Sequence, residues 1–191
     1  MILFFHPLLH KSRVNKELLR AVEDLDEVTV RIMYDLYPDF HINVSVEQEL
    51  LLKHDVIVWQ HPFYWYSAPS LLKEWIDLVF EHGFAYGKEG RALEGKKLIS
   101  AITTGGRKEA YMATGPNRYS MRELLSPFEQ TGALCRMNYL PPFVVHGTHL
   151  LNDDGIMLAG EKYRKVIQNL REDRFTPEEF LKHDYFNDII A

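Results

Sequence analysis

DVIVWQHPFYWYSAPSLLKEWIDLVF, Asp55 to Phe80, decides the architecture. It opens on Asp55 to Trp59, where Val56, Ile57 and Val58 run without polar alternation, the pattern of a strand covered on both faces. Gln60-His61-Pro62 is expected to stop that strand, because Pro62 has no N–H to donate to a ladder. From Pro69 the period changes. Leu71, Trp75 and Val79 recur every fourth residue, as do Leu72, Ile76 and Phe80, with Lys73, Glu74, Asp77 and Glu81 between them. This spacing predicts an amphipathic helix, with Ser67 as its candidate N-cap and Pro69 in its first turn. Strand and helix are joined by Phe63-Tyr64-Trp65-Tyr66. Four successive aromatics cannot all enter one core, and a strand-to-helix loop of a parallel sheet lies at the carboxyl edge, where ligands bind. Two readings stand: flat, partly polar walls for a planar aromatic ligand, or a hydrophobic rim that serves a subunit contact or the core.

Working outward, Ile2 to Phe5 reads as a first, central strand, and a helix from Val14 carries Leu18, Leu19, Val22 and Leu25. Val28 to Met33 alternates and suits a strand nearer an edge. A polar connection over Tyr34 to Asn43 and a short helix over Glu47 to Lys53 lead into the opening stretch. A glycine-spaced loop, His82 to Lys96, is followed by a fourth strand, Lys97 to Ile102, and the turn Thr103-Thr104-Gly105-Gly106. An irregular segment from Arg107 to Tyr119, a helix over Met121 to Thr131, a fifth strand over Met137 to Val145 and a helix over Ile156 to Leu170 complete the body. Alternating strands and helices with right-handed crossovers predict an α/β three-layer sandwich. Five parallel strands in so short a chain fit the flavodoxin-like order 2-1-3-4-5. Residues 1–171 form one domain on this reading. Residues 172–191 form an accessory tail, with a short helix at Thr176-Pro177-Glu178-Glu179, which has capping-box spacing.

Composition narrows the function. At 191 residues, 46% hydrophobic and 13% aromatic, the chain fills one core. Its net charge of −5, without a basic block, argues against nucleic acid as a partner. A single cysteine, Cys135, excludes an internal disulfide and suits a reducing compartment; it reads as a buried thiol rather than a nucleophile. MILFF is short, lacks a basic flank and is broken by His6-Pro7, so it makes a poor signal peptide. No run approaches the ~18 apolar residues of a membrane span. The expectation is a cytoplasmic chain. No metal site is expected: His6 and His10 flank a proline where a zinc pair would need a helix, H-E-x-x-H is absent, and His146 and His149 read as the polar end of a loop. No G-x-S-x-G supports an α/β hydrolase.

Three loops after three strands would meet at one edge. HPLLHKSRVN, His6 to Asn15, has neither dinucleotide fingerprint, but it sets Ser12 and Asn15 at a helix N-terminus, where free N–H groups favour an anion. Lys11 and Arg13 would add positive potential. A phosphate fits there; so does an ordinary N-cap role for Ser12. The aromatic tetrad is the second loop, and Thr103 to Gly106 is the third, where two glycines let backbone approach a ligand. A flat ring against the aromatics, with backbone N–H groups around its polar edge, is a flavin arrangement.

With these loops, HPxxxxSxxN, VWQHPFYWYSAPSLLKEWIDLVF, GFAYGKEGRALEGKKL, TTGG and YLPPFVVHG together resemble the flavodoxin-2 family of NAD(P)H:quinone oxidoreductases. Within it they are most similar to the flavin-containing ancillary subunits of glutathione-regulated potassium efflux antiporters. The resemblance spans about Met1 to Leu170 and leaves out the tail. It implies a homodimer that binds FMN, or alternatively FAD, takes a hydride from NAD(P)H and delivers two electrons to a quinone with ping-pong kinetics. By the same resemblance His6, Ser12, Val14 and Asn15 surround the flavin phosphate. Pro62, Phe63, Tyr64, Trp65 and Tyr66 flank the ring, and Thr103, Thr104, Gly105 and Gly106 contact its edge. Tyr111 and Tyr66 are the implied catalytic residues. The histidine that larger relatives carry six residues after the tyrosine is Asn117 here, so that histidine's role has no counterpart at this position. A second implication is a regulatory subunit at the inner membrane face, bound to an antiporter, in which the enzyme activity is secondary. A flavodoxin-type electron carrier is a third class, but the strongly acidic surface usual for it is missing.

Overall fold

The computed structural model describes Met1 to Ile190; Ala191, at the end of the expected tail, lies outside the described residues. Strands β1 (Ile2–Phe4), β2 (Val30–Ile32), β3 (Val56–Pro62) and β4 (Lys97–Thr103) run parallel. The last place in the sheet is shared by β5 (Asn138–Tyr139) and β6 (Phe143–Val145), both paired with β4. The order is β2-β1-β3-β4-β5, the doubly wound arrangement expected. The fifth strand, expected unbroken from Met137 to Val145, is split because Pro141 and Pro142 remove two ladder donors in succession.

β3 runs through the residues expected to end it. Phe63 N–H donates to Thr103 O at 2.8 Å, so every second residue bonds toward β4 and Pro62 falls on the other side. There the β1 pairing has already stopped at Phe4 opposite Gln60, and the missing donor costs nothing.

The helices are α1 (Arg13–Arg20), α2 (Met33–Leu36), α3 (Val44–Lys53), α4 (Ser70–Val79), α5 (Met121–Leu124), α6 (Ser126–Leu134), α7 (Asp153–Arg171), α8 (Pro177–Lys182) and α9 (Phe186–Ile189). Several boundaries differ from the sequence expectation. α1 stops before Val22 and Leu25, which are buried in the turns that follow it. β2 is cut to three residues because Met33, fully buried, begins a helical turn. The helix expected over Met121 to Thr131 is two, since Pro127 can open a helix but not continue one. Ser67 does not cap α4: its N–H donates to Tyr64 O at 3.0 Å, and Pro69 stands at the cap.

Strand periodicity sorts the core into two faces. Leu3, Ile57, Trp59, Leu98 and Ile102 pack with Leu51, Leu71, Trp75 and Phe128 of α3, α4 and α6. Ile2, Val58, Ile99 and Ala101 pack with Leu18 of α1 and Tyr163 and Val166 of α7. One charged group sits inside the first face. Glu47, fully buried, pairs with Arg31 and accepts from Tyr37 Oη at 2.6 Å and Trp75 Nε1 at 3.1 Å.

Candidate functional site

The loops after β1, β3, β4 and β6 meet at the carboxyl edge and enclose an open cleft of about 240 Å³. His6, Ser12, Asn15, Pro62, Phe63, Tyr64, Thr103 and Gly105 line it. The structure therefore brings together eight of the candidate cofactor-binding residues. A larger groove of about 550 Å³ lies at the opposite, amino edge around Ile2, Val56 and Lys97, and contains none of them.

Ser12 and Asn15 form the polar floor. Ser12 is the N-cap of α1, accepting from Asn15 N–H at 3.2 Å. The cap also belongs to a wider network. Asn15, 2% exposed, donates through Nδ2 to Ser12 Oγ at 3.0 Å and to Thr103 Oγ1 at 2.9 Å. One amide thus ties the start of α1 to the end of β4. Both hydroxyl oxygens act as acceptors toward Asn15, so each must donate its own proton elsewhere. Val14 does not line the cleft; its side chain is buried in the face covered by α7. Lys11 lines the cleft. Arg13, expected to add positive potential, is instead held by Asp153 at 2.6 Å and Leu151 O at 3.4 Å.

The aromatic tetrad is a tight turn. Trp65 and Tyr66, its two central residues, have φ of 50° and 60°. With Ser67 N–H bonded back to Tyr64 O, this is type I′ geometry, which usually calls for Asn or Gly. Bulky residues there store strain, of order 1–3 kcal/mol each, and such strain clusters at functional sites. The turn splits the aromatics. Tyr64 packs edge-on against His6 at 6.2 Å between ring centres, and Phe63 meets Tyr66 at 6.4 Å and Tyr111 at 6.0 Å. Trp65 is 93% exposed, and Tyr66 reaches out to donate to Asn117 Oδ1 at 3.3 Å. Neither lines the cleft floor. Burial pushes the pKa of Tyr64 up and that of His6 down, so His6 is neutral near pH 7, its Nδ1 accepting from Leu8 N–H at 3.1 Å.

Thr103 to Gly106 form the third wall. Thr104 N–H donates to Val145 O at 2.9 Å, and Gly106 N–H donates to Thr104 Oγ1 at 3.3 Å, leaving the Gly105 N–H for a ligand. Tyr111 lies behind this wall rather than in the cleft. It is 8% exposed, and its hydroxyl is bonded to Thr104 Oγ1 at 2.5 Å. A Cβ on Gly106 would come within 2.9 Å of the Tyr111 ring, so the glycine is what lets the ring seat there.

The sequence reading missed the fourth loop. Thr148 and His149 line the cleft, and a Cβ on Gly105 would lie 3.0 Å from the His149 ring. His146 packs against Tyr111 at 5.6 Å, and burial pushes its pKa down to about 4. Both histidines had been read as a polar loop end. The signal that finds them is topological: HGTH follows a parallel strand, as the other three loops do. Cys135 is buried and its pKa is pushed up to about 11, which makes it a poor nucleophile. Among the described residues no group of three or more His, Cys, Asp and Glu is placed to hold a metal ion, and no helix is long and apolar enough to cross a membrane.

Comparison with known proteins agrees with this fold. The flavodoxin-2 family model, described as a flavodoxin-like fold, matches residues 1–168. The glutathione-regulated potassium-efflux system ancillary protein KefG of Pectobacterium atrosepticum is 47% identical over 169 residues, 88% of this chain and 92% of that protein. Among solved structures, general stress protein 14 of Treponema denticola in complex with FMN superposes with a TM-score of 0.85 at 38% identity, covering 88% of this chain and 97% of that one. An NADPH-quinone reductase from P. pentosaceus superposes with a TM-score of 0.79 at 35% identity, covering 86% and 95%.

Proposed function

We propose, for a chain that belongs to the flavodoxin-2 family, that the cleft holds FMN and that the protein is an NAD(P)H:quinone oxidoreductase. The observation that carries this reading is the Ser12–Asn15–Thr103 network at the foot of an aromatic-walled cleft. It orients two hydroxyl protons away from the amide, toward where an anionic, hydroxyl-rich ligand would sit. Asn15 Oδ1 is buried without a protein partner, a deficit that a ligand hydroxyl would relieve. The FMN named with the Treponema denticola relative is such a molecule.

The chain's residues divide the work. Ser12 and the N–H groups at the start of α1 bind the phosphate, helped by the helix dipole and by Lys11. Phe63 and Tyr64 wall the ring, and the Gly105 N–H donates at its polar edge. Tyr111, fixed by Thr104, holds the Gly105-Gly106 turn in shape. Trp65 and Tyr66 stand outside the floor, placed to cover a second planar molecule, nicotinamide or quinone. A bound flavin would supply the hydride chemistry: NAD(P)H would give up a hydride and become NAD(P)+, and that hydride together with one proton from solvent would convert a quinone to its hydroquinone. One cleft serving both reactants gives parallel double-reciprocal lines.

The test is an absorbance spectrum of purified protein reconstituted with FMN, repeated anaerobically with NADPH. Yellow bands that bleach are expected. A protein that stays colourless with both FMN and FAD would remove the enzyme reading.

Trp65, almost fully exposed on a strained turn, is unfavourable in a monomer, and a second copy of the chain is the proposed cover. A monomeric mass at micromolar concentration would refute this. The similarity to KefG, whose name describes an ancillary protein of a potassium-efflux system, favours a second role on the cytoplasmic side of the membrane. Co-purification with a potassium efflux antiporter, and activation of it by a flavin-free variant, would separate that role from catalysis.

A further inference from the structure

Residues beyond 168 lie outside the matched family region, yet Tyr185 to Asn187 are built into the fold at the outer edge of β6. There the side chain of Asn187 does what another strand would do. Its Oδ1 accepts from Val144 N–H at 2.9 Å and its Nδ2 donates to Val144 O at 3.0 Å. Phe186 N–H adds a bond to Pro142 O at 3.0 Å. These three bonds satisfy outward-facing groups that would otherwise leave an open sheet edge. The segment straddles that edge. Tyr185 packs with the face containing Tyr111 and Val144, while Phe186, fully buried, packs with the face containing Phe143 and Tyr163.

From this anchor a line of rings leads to the cleft. Tyr185 meets His146 edge-on at 6.4 Å, His146 meets Tyr111 at 5.6 Å, and Tyr111 is bonded to Thr104. His146 Nδ1 is buried without a hydrogen-bond partner among the described residues, and the rings of Tyr111 and Tyr185 pack against it. Lys108, in the loop between Gly106 and Tyr111, lies 5.5 Å from the Tyr185 ring centre and 3.5 Å from Asp188. Both charges of that pair are well exposed, so the rings and the Asn187 pair dominate the contact.

We propose that Tyr185 and Asn187 are positioning residues: the C-terminal segment is a strap that clamps His146 onto Tyr111 and so fixes the Gly105–Tyr111 loop bordering the cleft. That this loop positions a flavin rests on the function proposed above; the clamp itself does not.

The experiment compares Tyr185→Ala, Tyr185→Phe and Asn187→Ala with the full-length parent in two measurements. The first is amide hydrogen exchange of the flavin-free protein, with residues 56–62 of β3 as the internal control for global folding. The second is FMN affinity by fluorescence titration. Losing one edge-on ring contact is expected to speed exchange at residues 105–112 about fivefold in Tyr185→Ala, with β3 unchanged, and to weaken FMN binding by a similar factor. Tyr185→Phe keeps the ring and should match the parent in both. Asn187→Ala releases the anchor and should move both readings in the same direction as Tyr185→Ala. Parent-like exchange at residues 105–112 in both alanine variants would overturn the strap. If the parent binds no FMN while exchange changes as stated, the flavin reading falls and the clamp stands.

Discussion

Replacing Asn15 by alanine tests the centre of the site, because a single amide spans two elements. The variant loses Nδ2 bonds to Ser12 Oγ and Thr103 Oγ1, at 3.0 and 2.9 Å, while Ser12 keeps the backbone bond that caps α1. Two neutral, buried hydrogen bonds are worth about 1 kcal/mol each, so the flavin-free protein should lose about 2 kcal/mol. For a chain of this length that lowers the melting temperature by about 4–8 °C. A separate effect falls on the ligand. With the amide gone, the Ser12 and Thr103 hydroxyls turn freely, and fixing them again on binding costs about 0.5–1.5 kcal/mol for each side chain. The total of about 1–3 kcal/mol means that FMN affinity should fall by about 5- to 150-fold. The assays are thermal unfolding without flavin and fluorescence titration with FMN. A variant that melts lower but binds FMN like the parent would show the network to be structural alone, and the argument from hydroxyl orientation would be wrong. A variant unchanged in both would mean the network does not form.

Three further outcomes follow from the geometry. Gly106→Ala should disturb the site more than Gly105→Ala, because the first Cβ strikes the buried Tyr111 ring and the second strikes the exposed His149 ring, which can swing away; FMN titration of both ranks them. Glu47→Ala should destabilise by about 3 kcal/mol by leaving the partly buried Arg31 and the Tyr37 and Trp75 donors without their acceptor, whereas Glu47→Leu combined with Arg31→Met should recover most of that in chemical denaturation, and failure to recover would refute the pairing account. His61 is fully buried, its ring bonded to Pro62 O at 2.9 Å, and burial lowers its pKa from 6.5 to about 4. Below pH 6.5 the unfolded chain takes up a proton that the folded chain refuses, so stability falls as pH drops from about 6.5 to about 4, by at most about 1.4 kcal/mol per pH unit; His61→Phe should flatten that part of the stability–pH curve.

What could be read from the chain alone was whatever depends on local periodicity and on topology. Unbroken apolar strands alternating with four-residue helical spacing called for a parallel sheet covered by helices, and five strands in so short a chain favoured the doubly wound form. That sheet in turn placed the Ser12, aromatic and Thr103-to-Gly106 loops at one edge. Boundaries set by packing were not legible: β3 tolerates Pro62 because β1 ends first, and Met33 turns helical because burial outweighs its strand neighbours. Roles set by contacts between distant residues were not legible either. Nothing local says that Asn15 bonds to Thr103, that Arg13 turns to Asp153, that Tyr111 lies behind the cleft, or that Asn187 closes the edge at Val144. Each joins residues between 7 and 140 positions apart, and such pairings exist only once the sheet has been assembled. The sequence by itself determined the sheet, its order and the edge at which ligands bind. The tertiary structure decided which side chains face that edge and what holds them there, because that choice is made by packing between elements and not within them.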